Sequence, residues 1–308
     1  MDIDQLLSLS IRLAAPILMV AIGGLFSLRV NVFNIALEGL MVIGCFGSIV
    51  GAYLFNDPMI GVLFGVLFSL AMTIVYSLLV LELDVNPIIS ALATITVCSG
   101  LTGYLLIPIF KSSGRYILPT SLAIKTIHIE FLDNIPILGP LLNNHSILVY
   151  LSFMLPFLIH ILLYKTNLGL SMRAVGSNAE AAMADGINVK RIRYFALMMT
   201  GAMCGLGGSQ LALSLNMFNV GMSGGRGFTA LAALILTGSE PIPTFLACLM
   251  FGFSYALVLI FSGEGYPVQL LNMLPYFMAL AVAIIPPLIR IIQKKVRWSE
   301  TRKKILAH

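Results

Sequence analysis

The sequence predicts an all-α fold, a polytopic bundle of about nine membrane-spanning helices within a range of eight to ten. Three observations carry this. The chain has 308 residues, of which 59% are hydrophobic and only 10% charged; an ordinary soluble domain carries about 25% charged residues. The apolar residues lie in continuous runs, several of them near the 20 or so residues that cross a bilayer as a helix. A barrel would show segments of about 10 residues with apolar and polar positions alternating, and these runs do not alternate. The whole of 1–308 reads as a single transmembrane domain.

The first run covers 6–28. It follows Met-Asp-Ile-Asp, which lacks the basic n-region of a secretory signal, so the segment is expected to be retained. The second run is 32–55, the third 59–81 and the fourth 87–110. Asn56-Asp57-Pro58 and Asn86-Pro87 separate them as turn signals. The outer loop 111–145 follows, with Pro119, Pro136, Pro140 and the mixed charges Lys111, Arg115, Glu130 and Asp133. It is a plain connector, a cap over the pore or a surface that meets a soluble delivery protein. The fifth run is 146–164, and the polar loop 165–193 comes next. The last four runs are 194–218, 228–237, 243–261 and 270–292, of which 228–237 is short enough to be either a tilted span or a re-entrant element.

Lys and Arg set the orientation. Lys165, Arg173, Lys190, Arg191 and Arg193 flank one loop, and Arg290, Lys294, Lys295, Arg297, Arg302, Lys303 and Lys304 mark the C-terminal tail. Both are expected in the cytosol. An odd number of crossings between them makes 228–237 a crossing, and counting back places the N-terminus outside. The basic residues cluster in these two regions, and the net charge of +5 does not point to nucleic acid. Cys45, Cys98, Cys204 and Cys248 all lie inside apolar runs without metal-ligand spacing and read as buried, inert thiols.

Within 165–193 the stretch Ser177-Asn-Ala-Glu-Ala-Ala-Met-Ala-Asp-Gly186 predicts a short helix. Ser177 and Glu180 have capping-box spacing, and Gly186 is placed to end the helix in a left-handed turn. About two turns of helix are not stable alone. Ala181 and Ala182 would let another protein approach the backbone closely, as a soluble partner docking from the cytosol requires.

No catalytic constellation is present. His128, His145, His160 and His308 are scattered, and no Gly-x-x-x-x-Gly-Lys-Ser/Thr phosphate loop occurs. The chain is therefore not expected to be an enzyme or to hold a cofactor; ATP, if it drives the protein, belongs to a partner subunit. Asn34 and Glu38 are four apart and would share a helix face. Glu38 either lines a translocation path or makes an interhelical hydrogen bond, with Arg29 or Arg12 as partner. Arg226 sits among Gly221, Gly224, Gly225 and Gly227 beside the short run. It is either a pore-site residue at a broken helix or an arginine anchored at the outer interface. Gly201, Gly205 and Gly208 have the spacing of helix packing.

The loop Asn167-Leu-Gly-Leu-Ser-Met-Arg-Ala-Val-Gly-Ser-Asn-Ala-Glu-Ala-Ala-Met-Ala-Asp-Gly-Ile resembles the coupling region of ABC importer permeases of the branched-chain amino acid and simple-sugar family. Gly225-Arg-Gly-Phe-Thr-Ala-Leu-Ala and Asn34-Ile-Ala-Leu-Glu-Gly-Leu-Met fit the same family, in order along the chain. The resemblance implies a multi-pass permease of the bacterial cell membrane. It also implies separate ATPase subunits docking at Ser177, Glu180, Ala181, Ala182 and Gly186, a second, non-identical permease chain and a substrate-binding lipoprotein. The Gly-Gly-Ile-Asp-Leu-Ser-type motif of the sugar permeases is missing. The Asn-Ile-Ala-Leu-Glu-Gly form is similar to the nucleoside-importer branch, with a simple sugar as the alternative. The competing class is an ion-coupled secondary transporter, for which Glu38 would be the coupling carboxylate.

Overall fold

A computed structural model describes residues 3–128 and 143–262, together with 268–271 and a few isolated positions up to 284. It is built of α1 (Ile3–Arg29), α2 (Leu37–Phe55), α3 (Pro58–Leu81), α4 (Pro87–Phe110), α5 (Ile147–Lys165), α6 (Asn167–Ser177), α7 (Ala179–Ala184), α8 (Val189–Leu215), α9 (Arg226–Leu236), α10 (Pro241–Ser262) and the single turn α11 (Val268–Leu271). Among the described residues seven of these helices, α1, α2, α3, α4, α5, α8 and α10, are long and apolar enough to cross a membrane.

Local chemistry starts these helices. Asp57 caps α3 by accepting from the Met59 amide at 2.7 Å, and Asn86 caps α4 by accepting from the Ile88 amide at 2.9 Å. Pro58 and Pro87 stand at the first helical positions, where no amide is needed. The second run does not begin at 32: residues 32–36 are non-helical and α2 starts at Leu37. Asn34 therefore lies outside the helix and does not share a face with Glu38. Its Oδ1 accepts from the Ala36 amide at 2.8 Å in a local turn that redirects the chain into α2. The sixth run is helical over Val189–Leu215 rather than 194–218, and Phe218 falls in a short strand.

The core is the group α1, α2 and α8. The α2 span is 89% buried, whereas α4 at the rim is 22% buried. Glycines set the distances between these helices: a Cβ at Gly44 would lie 2.9 Å from Gly205 Cα, and one at Gly205 would lie 2.6 Å from Val66 Cα. Gly201 meets Thr73 of α3 and Gly208 meets Met41 of α2, so the expected packing role of this stripe holds. All four cysteines are free and buried.

Polar contacts define two ends of the bundle. At one end lie the C-termini of α1, α3 and α5, the N-termini of α4, α8 and α10, and the helices α6 and α7. At the other, β1 (Arg115–Ile117) pairs antiparallel with β4 (Met217–Asn219), and β2 (Thr126–Ile127) pairs with β3 (His145–Ser146). Phe110 stacks on Tyr116 at 4.2 Å, and Phe218 packs edge-on against Phe46, which joins the first strand pair to α2 and α4. Part of the loop 111–145, from 129 to 142, lies outside the described residues, as does most of 270–292.

Candidate functional site

The basic end carries a helical hairpin followed by a short outward helix. Thr166 ends α5 and opens α6, its hydroxyl accepting from the Gly169 amide at 3.2 Å. A Cβ at Gly169 would overlap the Leu162 carbonyl, and one at Gly176 would overlap the Arg29 carbonyl. These two glycines seat α6 against α5 and against the end of α1.

Asn178, and not Ser177, caps α7. Its Oδ1 accepts from the Glu180 and Ala181 amides at 3.0 and 3.1 Å, while Ser177 is the last residue of α6. The capping-box expectation is one residue off because Ser and Asn are both good caps; the turn geometry favours the asparagine. Gly186 has φ +83. The Gly186 amide donates to the Met183 carbonyl and the Ile187 amide to the Ala182 carbonyl, both at 3.0 Å. This bond pair is a Schellman motif, as the glycine predicts. Ala182 is 2% exposed and faces the body. The outward surface is formed by Glu180, Ala181, Met183 and Ala184 instead.

Two ion-pair groups tie this end together. Arg29 donates to Glu240 Oε1 at 2.7 Å and to the Ser239 carbonyl at 2.8 Å, and Tyr164 donates to Glu240 Oε2 at 2.5 Å. The Arg173 guanidinium of α6 lies over the Tyr164 ring, 5.0 Å from its centre. Burial raises the Glu240 pKa, but the hydrogen bonds from Tyr164 and Arg29 and the charge of Arg29 outweigh it, and the carboxyl sits below its usual range. Lys190 and Tyr194 at the start of α8 bond Glu82 after α3 at 2.6 and 2.8 Å, which lowers the Glu82 pKa.

Inside the bundle lies a second arrangement. After β4 the chain turns through Gly221, Gly224 and Gly225, all at positive φ, and enters α9. Eleven residues of helix span about 16 Å, roughly half the hydrocarbon thickness. The segment 217–239 nevertheless runs from the strand end to the basic end, where the Ser239 carbonyl meets Arg29. It crosses the bundle as a half-helix joined to an irregular half, so α9 alone is not a spanning helix.

Glu38 closes the N-terminus of this half-helix. It is 7% exposed. Its Oε1 accepts from Ser223 Oγ at 2.5 Å and from the Gly225 amide at 3.1 Å, and its Oε2 accepts from the Gly227 amide at 2.6 Å. A carboxylate there satisfies amides that the first helical turn leaves open and complements the positive end of the helix. Gly227 permits the approach, since a Cβ on it would lie 2.5 Å from Glu38 Cα. The interhelical bond expected of Glu38 is thus present, but to the 223–227 segment and not to Arg29 or Arg12. Arg226 donates to the Met222 and Ser223 carbonyls at 3.2 and 3.1 Å, and its guanidinium lies 5.0 Å from the centre of the Tyr255 ring. Glu38 and Arg226 are therefore brought to one place, and Asn34 precedes it on the same connection. Sequence reasoning missed Ser223, Gly176, Tyr164 and Glu240 and did not pair Gly227 with Glu38; the glycine run at 221–227 was the one signal that a partner approaches there.

The family described as branched-chain amino acid transport system / permease component matches residues 6–284. The chain is 33% identical over 277 residues to the guanosine ABC transporter permease protein NupQ of Bacillus subtilis, covering 85% of each chain. It is 29% identical over 282 residues to the nucleoside ABC transporter permease protein NupC of Lactococcus lactis, covering 87% of this chain and 88% of that one. It is 28% identical over 257 residues to the putative glucose ABC transporter permease protein TsgC13 of Haloferax volcanii, covering 82% and 77%. No solved structure matches the chain. With the family matched from end to end of the bundle and seven helices fit to cross a bilayer, the chain belongs to the permease components of the branched-chain amino acid transport family and is a multi-pass protein of the cell membrane.

Proposed function

We propose that this chain is the permease subunit of an ATP-driven importer of nucleosides, coupled to separate ATPase subunits through α7. The observation that carries the coupling is the outward face of Glu180, Ala181, Met183 and Ala184. That face sits on a helix fixed at both ends by Asn178 and Gly186, and the preceding α6 is seated on α1 through Gly176. Lys165, Arg173, Lys190, Arg191 and Arg193 cluster around it, which favours a cytosolic location for this end and an outer location for the N-terminus. The seven spans, the crossing 217–239 and one crossing beyond 262 would make nine.

In this reading ATP closes the partner subunits, and they press on α7. The displacement passes through Gly176 to α1, and through Arg173, Tyr164, Arg29 and Glu240 to the turn between α9 and α10. The half-helix α9, with its Glu38 contact, would then move against α2. A second permease chain, similar but not identical, completes the path, and a substrate-binding lipoprotein delivers the solute from outside. The names of NupQ and NupC support a nucleoside, and that of TsgC13 supports a simple sugar as the second reading. The ion-coupled alternative is disfavoured, because both oxygens of Glu38 are already engaged by protein donors.

The test is uptake of labelled guanosine and glucose by cells carrying the whole importer, with co-purification of its subunits in mild detergent. Glu180→Arg and Gly186→Val should abolish uptake and release the ATPase while the chain remains in the membrane at normal abundance. Uptake that survives both substitutions would refute the coupling role of α7. Guanosine uptake without glucose uptake supports the nucleoside reading, and the reverse supports the sugar.

A further inference from the structure

The end of the bundle opposite α7 holds a polar pocket of about 200 Å³ between α1, α5 and α8, under residues 123–126. Its polar lining is Arg12, Thr126, Ser146, Gln210, Ser214 and Asn216. Arg12 lies on the spanning helix α1, is exposed, and has no ion-pair or hydrogen-bond partner among the described residues. A lone charge within a span is costly and usually faces a protein interior or a water path. Gln210 is 2% exposed, and its amide oxygen accepts from Ser146 Oγ at 2.9 Å. That bond fixes the carboxamide and leaves its NH2 without an acceptor among the described residues. Asn216, held at φ 50 as the C-cap of α8, has a buried side-chain oxygen with no partner.

This set combines a cation, an amide donor, an orphan acceptor and three hydroxyls, of which Ser146 donates to Gln210 and Ser214 to the Leu211 carbonyl while both keep oxygen lone pairs free to accept. An anion would suit Arg12 but would set negative charge beside the Asn216 oxygen. A ring bearing several hydroxyls satisfies both, because each hydroxyl donates and accepts. The volume lies below the roughly 300 Å³ at which sites for larger ligands begin, and it suits one pentose or hexose ring. The larger cavity, about 370 Å³ and lined by Leu7, Ile11, Phe153, Leu249, Met250 and Phe253 among others, lacks this chemistry. Its one hydroxyl, on Ser10, is bonded to the Leu6 carbonyl.

We propose that the Arg12–Gln210–Asn216 pocket is a subsite for the hydroxylated ring of a sugar. It rests on the importer reading only for its place on the outer face, where a delivery protein releases its load. A nucleoside and a simple sugar share such a ring, so the subsite stands for either substrate.

The experiment is a binding titration of the full chain in mild detergent by saturation-transfer NMR, with D-ribose, D-glucose and inorganic phosphate as probes. One of the two sugars should bind, and Arg12→Leu and Gln210→Leu should each weaken it about tenfold. Gln210→Leu also removes the partner of Ser146. Arg12→Leu breaks no contact among the described residues, so it keeps the test valid if the other variant fails to fold. Sugar binding unchanged in Arg12→Leu, no sugar binding at all, or binding of phosphate in place of sugar would each overturn the subsite. Uptake by the assembled importer is followed in parallel. Loss of ATP-driven uptake with ring binding intact counts against the proposed function alone, and intact uptake with no ring binding counts against the subsite alone.

Discussion

The two short helices α7 and α9 end in the same way and begin in opposite ways. At their C-termini, Gly186 and Gly238 both adopt positive φ, and the residue after each donates back to the carbonyl five positions earlier, Ile187 to Ala182 and Ser239 to Leu234. At its N-terminus α7 is capped by Asn178, two and three residues before the amides it serves. The N-terminus of α9 is closed by Glu38, 185 residues or more away along the chain. The difference follows from solvent. The exposed helix can leave its remaining open amides to water, so a neutral local cap suffices. The helix that begins inside the bundle has no water to turn to, and unsatisfied amides there cost several kcal/mol. A carboxylate from another helix meets that demand and, in doing so, locks α9 to α2.

Removing the remote cap should have the largest effect. Glu38→Ala strands the Ser223 hydroxyl and the Gly225 and Gly227 amides and should destabilise the protein by on the order of 3–5 kcal/mol. Thiol-reactive dye melting reads this directly, since all four cysteines are buried until the bundle opens. Glu38→Gln, which keeps an acceptor, should fall between the two. An unchanged melting curve for Glu38→Ala would mean that the carboxylate does not hold the half-helix.

The far end of the same crossing is held by Arg29 and Glu240. Glu240 is 42% exposed by side chain, so solvent screening limits Glu240→Gln to about 1 kcal/mol. The sign of its pH dependence is fixed. A carboxyl whose folded pKa is depressed stabilises above its unfolded value, about 4.3, and that contribution disappears as pH falls through the lower folded value. The melting difference between wild type and Glu240→Gln should therefore be full at pH 6 to 7 and shrink only below about pH 4. A difference that persists unchanged under acid would rule out this ion pair as its source.

The local cap should matter less. Asn178→Ala is expected to cost α7 about 1 kcal/mol. Amide exchange at Glu180 and Ala181 should speed up about fivefold while global melting stays in place. If Asn178→Ala shifted global melting as far as Glu38→Ala, the contrast between the two helices would collapse. Gly186→Ala should have an effect of the same order or slightly less, about 1 kcal/mol from the strained left-handed backbone. It should appear as faster exchange at the Ile187 amide.

Legibility in the sequence tracked the range of each interaction. Gly186 announced its own turn. The helix start at 178 was found within one residue, the residual error being the choice between adjacent Ser177 and Asn178. The boundary error at 32 had a similar origin: apolar residues run through 32–36 without a polar signal, yet Asn34 folds back on Ala36 and delays α2 until Leu37. Glu38 was recognisable as an intramembrane carboxylate that needs a partner, and the glycine run at 221–227 as a helix start open to approach. Nothing in either segment paired the two. Arg29 was the nearer candidate for Glu38, and it binds Glu240 instead.

What the sequence determined by itself was the membrane class, seven of its nine expected runs as long apolar helices, most of the local turns, and the short helix after residue 177 with its glycine stop. Each of these depends on residues within a few positions of one another, or on the sum of apolar character along one run, and the transfer energy of that run depends on composition alone. The tertiary structure alone decided that 217–239 crosses as a half-helix, that Glu38 serves it, that Ala182 faces inward and that Arg29, Tyr164, Arg173 and Glu240 meet. Those outcomes rest on which buried polar groups come within bonding distance once the helices pack, and glycines such as Gly44, Gly176, Gly205 and Gly227 set that distance through contacts with residues far away in the chain.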